Sequence, residues 1–246
     1  MKLIYLILTV FLVSANAQVA DSCDSMTPFG KPVVKTVEKA TRLCRKMYVL
    51  EHSPSRHTAF WSAEHLIGTE QGTGADRVNA FKADPDLPIT EAARPSDYAG
   101  SGYDQGHMSP VGDMHKDAEA MLESFYLSNM VPQIPMNNRD GWNHLEYYVR
   151  GLAMKNNNVY VITGPVYQCI TCVTIGKTRV MIPTHIYKIV YIPSRKLAIS
   201  FLVPNVPFTD KDIPKYITTV NAVQKATGIK FFPMLTVPVD DAKAML

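Results

Sequence analysis

The body of this 246-residue chain has no apolar run of membrane-spanning length, no internal repeat, no low-complexity tract and no Ser/Gly linker. A spanning helix needs about 20 apolar residues, so a helical membrane domain is excluded, and the missing repeats exclude solenoids and propellers. Charge of one sign is scarce as well: 25 Lys and Arg against 22 Asp and Glu leave a formal net charge of +3. That is far from a chromatin-type basic balance, so any polyanion must be held by a local patch. There is no His-Glu-x-x-His zinc motif, no P-loop and no nucleophile elbow. Of the four cysteines only one pair has ligand spacing, which argues against a zinc site. What remains, 46% hydrophobic and 19% charged residues, is a globular profile long enough to bury a core without disulfides or a structural metal.

Only the N-terminus is strongly apolar. Lys2, the run from Leu3 to Val13 broken by Thr9, and Ser14-Ala15-Asn16-Ala17 give a charged start, an apolar stretch and a small-x-small cleavage site. This reads as a secretory signal peptide over residues 1–17, followed by a single domain over residues 18–246. Its removal takes one Lys and no acid, leaving +2. A secreted or periplasmic address permits disulfides. Cys23 with Cys44 is the preferred pair, tying the mature N-terminus to the first strand; Cys169 and Cys172 then close on each other or stay reduced.

Residues 43–51 read as a strand and residues 69–103, rich in Gly, Pro, Asp and Ser, as a long loop of the kind often used for function. Helices are expected over 116–123, 138–154 and near 212–226, the last stopping at Gly228. Residues 158–163, 179–192 and 196–203 are β-rich, the middle block as a bent strand. This mixed order predicts an α+β domain with a largely antiparallel central sheet flanked by helices.

Residues 103–150 carry the chemistry. Tyr103-Asp104-Gln105-Gly106-His107 sets an acid and a His three apart across a Gly, in a segment bounded by Gly102 and Pro110. Such a turn presents His107 as a general base, or is simply a tight turn with a surface His. Downstream, positions 138, 142, 146 and 150 step by four, a row drifting roughly 40° per step along a helix. Trp142, Leu145, Val149 and Leu152 mark its apolar face. Asn138 projects into that arc and Glu146 borders it, and buried polar groups require partners. A hard cation with its waters satisfies both through oxygen ligation; a helix N-cap at Asn138 and an i, i+4 pair between Glu146 and Arg150 are the bland alternatives.

Asp104-Gln105-Gly106-His107, then Asn129-Met130-Val131-Pro132-Gln133, Asn138, Trp142 and Leu145-Glu146 resemble the DNA/RNA non-specific endonuclease family, Serratia-type and endonuclease G-like. The similarity runs from about residue 43 to about residue 233 and takes in Trp61, Asp97-Tyr98, Pro183-Thr184-His185, Thr227-Gly228 and Phe231-Phe232-Pro233. The resemblance implies a ββα-metal active site cutting DNA and RNA with one Mg2+, Mn2+ being a substitute. It implies His107 as general base and Asn138 as the one direct protein ligand of the metal. Glu146 would hold metal-bound waters, Asp104 would orient the catalytic loop and Asn129 would support the site. Arg150 would contact phosphate, and Arg56, across an alignment gap, is the candidate for stabilising phosphate charge. Dimerisation is common in the family, and a homodimer is among the expected partners beside DNA and RNA.

One position departs from the family pattern. Gln105 stands where the family usually has Arg, which removes a cation and a fork-shaped donor. Substrate binding is then weakened by about one phosphate contact, or the loss is compensated elsewhere, or the chain binds nucleic acid without cutting it. A secreted structural or adhesion module is the remaining class. His52, His57, His65, His115 and His144 have no metal-site spacing, while His185 either packs beneath the site or touches substrate.

Overall fold

The computed structural model describes residues 22–70, 74, 77–114, 116–235 and 240–241. The expected leader over residues 1–17 lies outside them. Along the chain come β1 (Thr41–Cys44), β2 (Tyr48–Ser53), β3 (Thr58–Ile67), β4 (Asp104–His107), α1 (Ala118–Ser124) and β5 (Met130–Gln133). A π-helical turn (Asn137–Trp142) then runs directly into α2 (Asn143–Asn156), followed by β6 (Asn158–Val166), β7 (His185–Ile192), β8 (Leu197–Pro204), β9 (Ile217–Thr218) and α3 (Val220–Thr227). The central sheet has the strand order β9-β8-β7-β6-β3-β2-β1, with every neighbouring pair antiparallel. The two residues Asp240–Asp241 add a short parallel pairing to β8. The expected α+β class with a largely antiparallel sheet is the observed one.

Both faces of this sheet are covered. Along β7, Ile186, Val190 and Ile192 face a core completed by Trp142, Leu145, Val149 and Ala153, while Tyr187, Ile189 and Tyr191 face a second core with Cys23, Val220, Val223, Phe231 and Phe232. A strand buried on both sides is apolar at successive positions and loses the alternation that marks a half-exposed one. The Cys23–Cys44 disulfide joins the N-terminal 3-10 turn (Ser22–Met26) to β1, and Cys169 is bonded to Cys172.

Three expected elements are divided in the structure. The strand expected over 43–51 is interrupted after Cys44, where the Arg45 N–H reaches back to the Tyr48 carbonyl at 2.8 Å and the chain reverses. The bent strand over 179–192 is two pieces, because Pro183 lies between Val180–Met181 and β7. The helix near 212–226 is a 3-10 segment (Asp210–Tyr216) carrying Pro214, then β9, then α3. Thr219 caps α3 by accepting from the Ala222 N–H at 3.1 Å, and Gly228 ends it at φ +72°, where a side chain would be strained.

The long segment before β4 is held by charge and not by periodicity. Arg45, on the β1–β2 turn, donates to Asp84 and to Asp86 at 2.5 Å each, and Ser128 also donates to Asp84. The Asp84 side chain has no exposed surface. Backbone bonds from Lys82 N–H to Phe125 and from Leu127 N–H to Lys82 lay Lys82 against the segment that follows α1. Removing the Asp84 carboxylate leaves Arg45 with only the exposed Asp86 and takes the acceptor from the buried Ser128 hydroxyl, so Asp84→Ala is expected to cost about 3 kcal/mol. Urea unfolding measures this as a lowered midpoint at unchanged slope; a loss below about 0.5 kcal/mol would put the pair in the class of inconsequential surface bridges.

Candidate active site

Strands β4 and β5 form a two-stranded ribbon in which Asp104, Gln105, Gly106 and His107 face Gln133, Pro132, Val131 and Met130. Gly106 is required by close approach: a Cβ there would lie 2.0 Å from the Gln133 Oε1. Gln133 in turn donates to the Asn137 Oδ1 at 2.6 Å, and the Asn137 amide donates to the Pro204 and Val206 carbonyls at 2.9 and 2.8 Å. The ribbon, the π-helical turn and the end of β8 are thereby one unit, and α2 completes a ββα arrangement. The wider i→i+5 winding of Asn137–Trp142 changes the register between Asn138 and Glu146 from that of a plain α-helix.

Asn138 is not an N-cap. Its amide nitrogen donates to the Asp104 Oδ2 at 3.0 Å, and because a carboxylate accepts only, the amide oxygen must point the other way. Arg139 grips the same carboxylate, Nε to Oδ2 at 2.7 Å and a terminal nitrogen to Oδ1 at 2.6 Å. Burial alone would raise the Asp104 carboxyl, but the bonds from Arg139 and Asn138 hold it below its ordinary value.

His107 ends β4 between two rings, Phe125 edge-on at 5.3 Å and Phe81 at 5.8 Å. Its Nε2 is buried and without a hydrogen-bond partner, so Nδ1 is the nitrogen that meets the adjoining cavity. Burial, with the Arg77 charge behind it, pulls this imidazole down to about 3, so it is neutral at ordinary pH. Asn129 fixes the segment just beyond: it accepts from the Ser109 N–H at 3.0 Å and donates to the Ser109 and Ser124 carbonyls at 2.8 and 3.0 Å.

Asp104, Gln105, His107, Asn138, Arg139 and Glu146 line one cavity of about 460 Å³, together with Arg77, Asn79, Phe81 and Asn143. No protein donor reaches the Glu146 carboxylate among the described residues. Burial pushes it up to about 7 against the opposing pull of Lys188 and Arg150. Behind it Lys188 is almost wholly enclosed on β7, donating to the Thr163 Oγ1 at 2.7 Å with its Nζ 5.3 Å from the centre of the Trp142 ring. Glu146 and the Asn138 amide present hard oxygen donors to the cavity, a set that suits a cation keeping most of its waters.

The expected arginines separate. Arg150 lines an adjoining recess of about 210 Å³ with Arg77, Glu146 and Tyr147, and its guanidinium donates to Asp113 at 2.8 Å. Arg56 does not join the others: it lies over the rings of Phe60 and Tyr167 at 4.7 and 5.0 Å and is not among the residues lining the cavity. The cation beside His107 is Arg77, exposed, with its guanidinium 5.6 Å from the Phe125 ring and no carboxylate partner among the described residues. Arg77 and Arg139 are both missing from the sequence reading. Arg139 had a detectable signal, being adjacent to Asn138; Arg77 had only its place in a long loop.

A family model described as DNA/RNA non-specific endonuclease matches residues 25–237. The protein named Nuclease EXOG, mitochondrial, of Xenopus laevis is 38% identical over 204 residues, 76% of this chain but 57% of its own length. Nuclease C1 of Cunninghamella echinulata var. echinulata is 36% identical over 209 residues, 78% of this chain and 83% of its own. The human protein named Endonuclease G, mitochondrial, is 32% identical over 216 residues, covering 82% and 72% of the two chains. A chain from the crystal structure of an EndoG/EndoGI complex superposes with a TM-score of 0.78 at 30% identity, covering 87% of this chain and 92% of that one. With the ββα arrangement, the cavity residues and a match over most of its length, this chain belongs to the DNA/RNA non-specific endonuclease family.

Proposed function

We propose that this protein is an exported, sugar-non-specific endonuclease that hydrolyses phosphodiester bonds of DNA and RNA with one Mg2+ and His107 as general base. The observation that carries the reading is the open Nδ1 of a neutral His107 on the same cavity wall as Asn138 and Glu146. In the reaction a water oxygen bonds to phosphorus, its proton passes to the His107 Nδ1, and the bond from phosphorus to a sugar oxygen breaks, that oxygen leaving with the electron pair and taking a proton from solvent water. An anionic phosphate beside the ring raises its basicity from the depressed value of the free site. Asn138 and Glu146 would hold the metal, which when bound supplies Lewis-acid charge to the phosphate and the leaving oxygen. Arg77 and Arg150 donate to phosphate oxygens. Gripping a polymer by its phosphates gives no reading of base sequence, which fits cleavage indifferent to it.

Export is supported by the leader-like residues 1–17 and by two disulfides in a fold whose EXOG and endonuclease G relatives are named as mitochondrial. Among the described residues no helix is long and apolar enough to cross a membrane.

The deciding experiment digests plasmid DNA and an RNA with the purified protein in Mg2+ or EDTA. Cutting of both polymers in Mg2+ alone is expected, falling at least about 100-fold in His107→Ala and in Asn138→Ala. Retention of DNA with no cutting under any divalent metal would move the assignment to a binding protein of the same fold. The two arginines give an independent check: Arg77→Ala is expected to slow cleavage about 100-fold and to flatten the salt dependence of DNA binding by about one phosphate contact. Arg56→Ala should stay within about twofold of the parent rate; equal losses in both would undo the assignment of Arg77.

Glu146 predicts an inverse stability effect. Its folded value is raised from 4.5 to about 7, so the stability it contributes is complete below pH 4.5 and is lost as pH rises through about 7. In EDTA at pH 8, Glu146→Gln is therefore expected to be more stable than the parent by on the order of 2–3 kcal/mol, and level with it near pH 4.5. Thermal melts at both pH values check this. Mg2+ should raise the melting temperature of the parent at pH 8 more than that of the variant; a variant that melts below the parent at pH 8 in EDTA contradicts the desolvated carboxylate.

A further inference from the structure

The neutral Gln105 on the cavity wall leaves open how the substrate is gripped there. Position 105 pairs with Pro132 in the ribbon, and no hydrogen bond ties its side chain to the protein among the described residues. Arg139, one residue after Asn138, lines the same cavity, is bonded to Asp104 one residue before Gln105, and is 69% exposed at the rim.

The Arg139 contact differs from an ordinary surface bridge in two respects. It is two-pronged, with Nε and a terminal nitrogen each on a different oxygen of the one carboxylate, which fixes the plane of that carboxylate as a single bond would not. It is also not the end of the chain of contacts, since Asp104 Oδ2 accepts from the Asn138 amide as well. A carboxylate free to rotate would release that amide, and an amide that turns over would present nitrogen where oxygen is needed. A guanidinium has five N–H donors and Asp104 occupies two, leaving about three directed along the rim toward solvent.

We propose, building on the nuclease reading, that Arg139 is a positioning residue that holds the Asn138 amide oxygen toward the metal through Asp104, and that its remaining donors give the substrate phosphate the cationic contact absent at Gln105. The two roles rest on different properties of the same side chain. Positioning needs the fork shape, while the phosphate contact needs only a charge at the rim. Lys keeps the second and loses the first.

The test uses the purified protein with Arg139→Ala, Arg139→Lys and the double variant Arg139→Ala with Gln105→Arg, each confirmed as folded by its melting curve. Two readouts need no turnover: Mg2+ affinity by calorimetry without nucleic acid, and the salt dependence of oligonucleotide binding in EDTA by anisotropy. Mg2+ affinity is expected to fall about tenfold in all three variants, as for other residues that orient a ligand. The salt slope should drop by about one in Arg139→Ala, remain at the parent value in Arg139→Lys, and return in the double variant. A surface bridge of no consequence would leave Mg2+ affinity in Arg139→Ala within about twofold of the parent, and that result overturns the positioning role. An unchanged salt slope in Arg139→Ala overturns the phosphate contact. Either failure in a parent protein that still cuts DNA and RNA leaves the nuclease reading standing, whereas a parent that cuts neither with any divalent metal ends both.

Discussion

The site depends on a seam of amides, Gln133 and Asn137 buried and Asn205 half-buried. Gln133 bonds Asn137, Asn137 bonds the carbonyls at the end of β8, and Asn205 reaches back to the Pro132 and Pro183 carbonyls at 3.0 and 3.1 Å while accepting from the Ile134 N–H at 3.0 Å. These amides satisfy the carbonyls of Pro132, Pro183, Pro204 and Val206, and an unsatisfied buried carbonyl is costly. Because the ribbon bears His107 and the π-helical turn bears Asn138, the seam that joins them sets the distance between the base and the metal ligand. A large sheet packed on both faces gives the seam a fixed support, and its stability comes mainly from apolar burial far from the cavity.

The electrostatics of the cavity follow from what is enclosed and what is open. His107 sits against aromatic rings and remains neutral; Glu146 is desolvated and holds its proton up to about 7; Arg77 and Arg139 stand at the rim in water. Charged groups at the rim draw in an anionic polymer without a cost of burial, while the groups below it are poised by their lack of solvation. Lys188, enclosed beneath Trp142, offsets part of the desolvation of the neighbouring acids, including Glu64, whose carboxyl is raised well above its ordinary range by burial and by the Asp113 charge.

The residues legible in the sequence were those whose partners are close along the chain or share one helix. Asp104, Gln105 and His107 lie within one strand, and Asn138 and Glu146 on one helical run, so each group was visible in its own spacing, and the family resemblance joined the two. The antiparallel sheet was legible in outline, whereas its internal breaks depended on single residues, Pro183 in the bent block and the reversal at Arg45. Arg77 was not legible, because it reaches the site from a long loop through contacts with Asn79 and the Phe125 ring, and no local period marks it. Arg56 was assigned to the phosphate because it precedes Trp61, yet the flat faces of Phe60 and Tyr167 hold it elsewhere. Lys188 and Glu64 were hidden in strands buried on both faces, where polar residues interrupt no alternation.

The π-helical turn at Asn137–Trp142 makes the length of this segment a part of the chemistry. Each residue added to or taken from a helix turns everything after it by about 100°. A shortened turn would wind into a more regular helix, with better local hydrogen bonding, and would also swing Glu146 and Arg150 away from Asn138. Side-chain exchanges on the outer surface of the turn leave that phase untouched. In this chain the turn is thus open to change in its outer side chains and closed to change in its length.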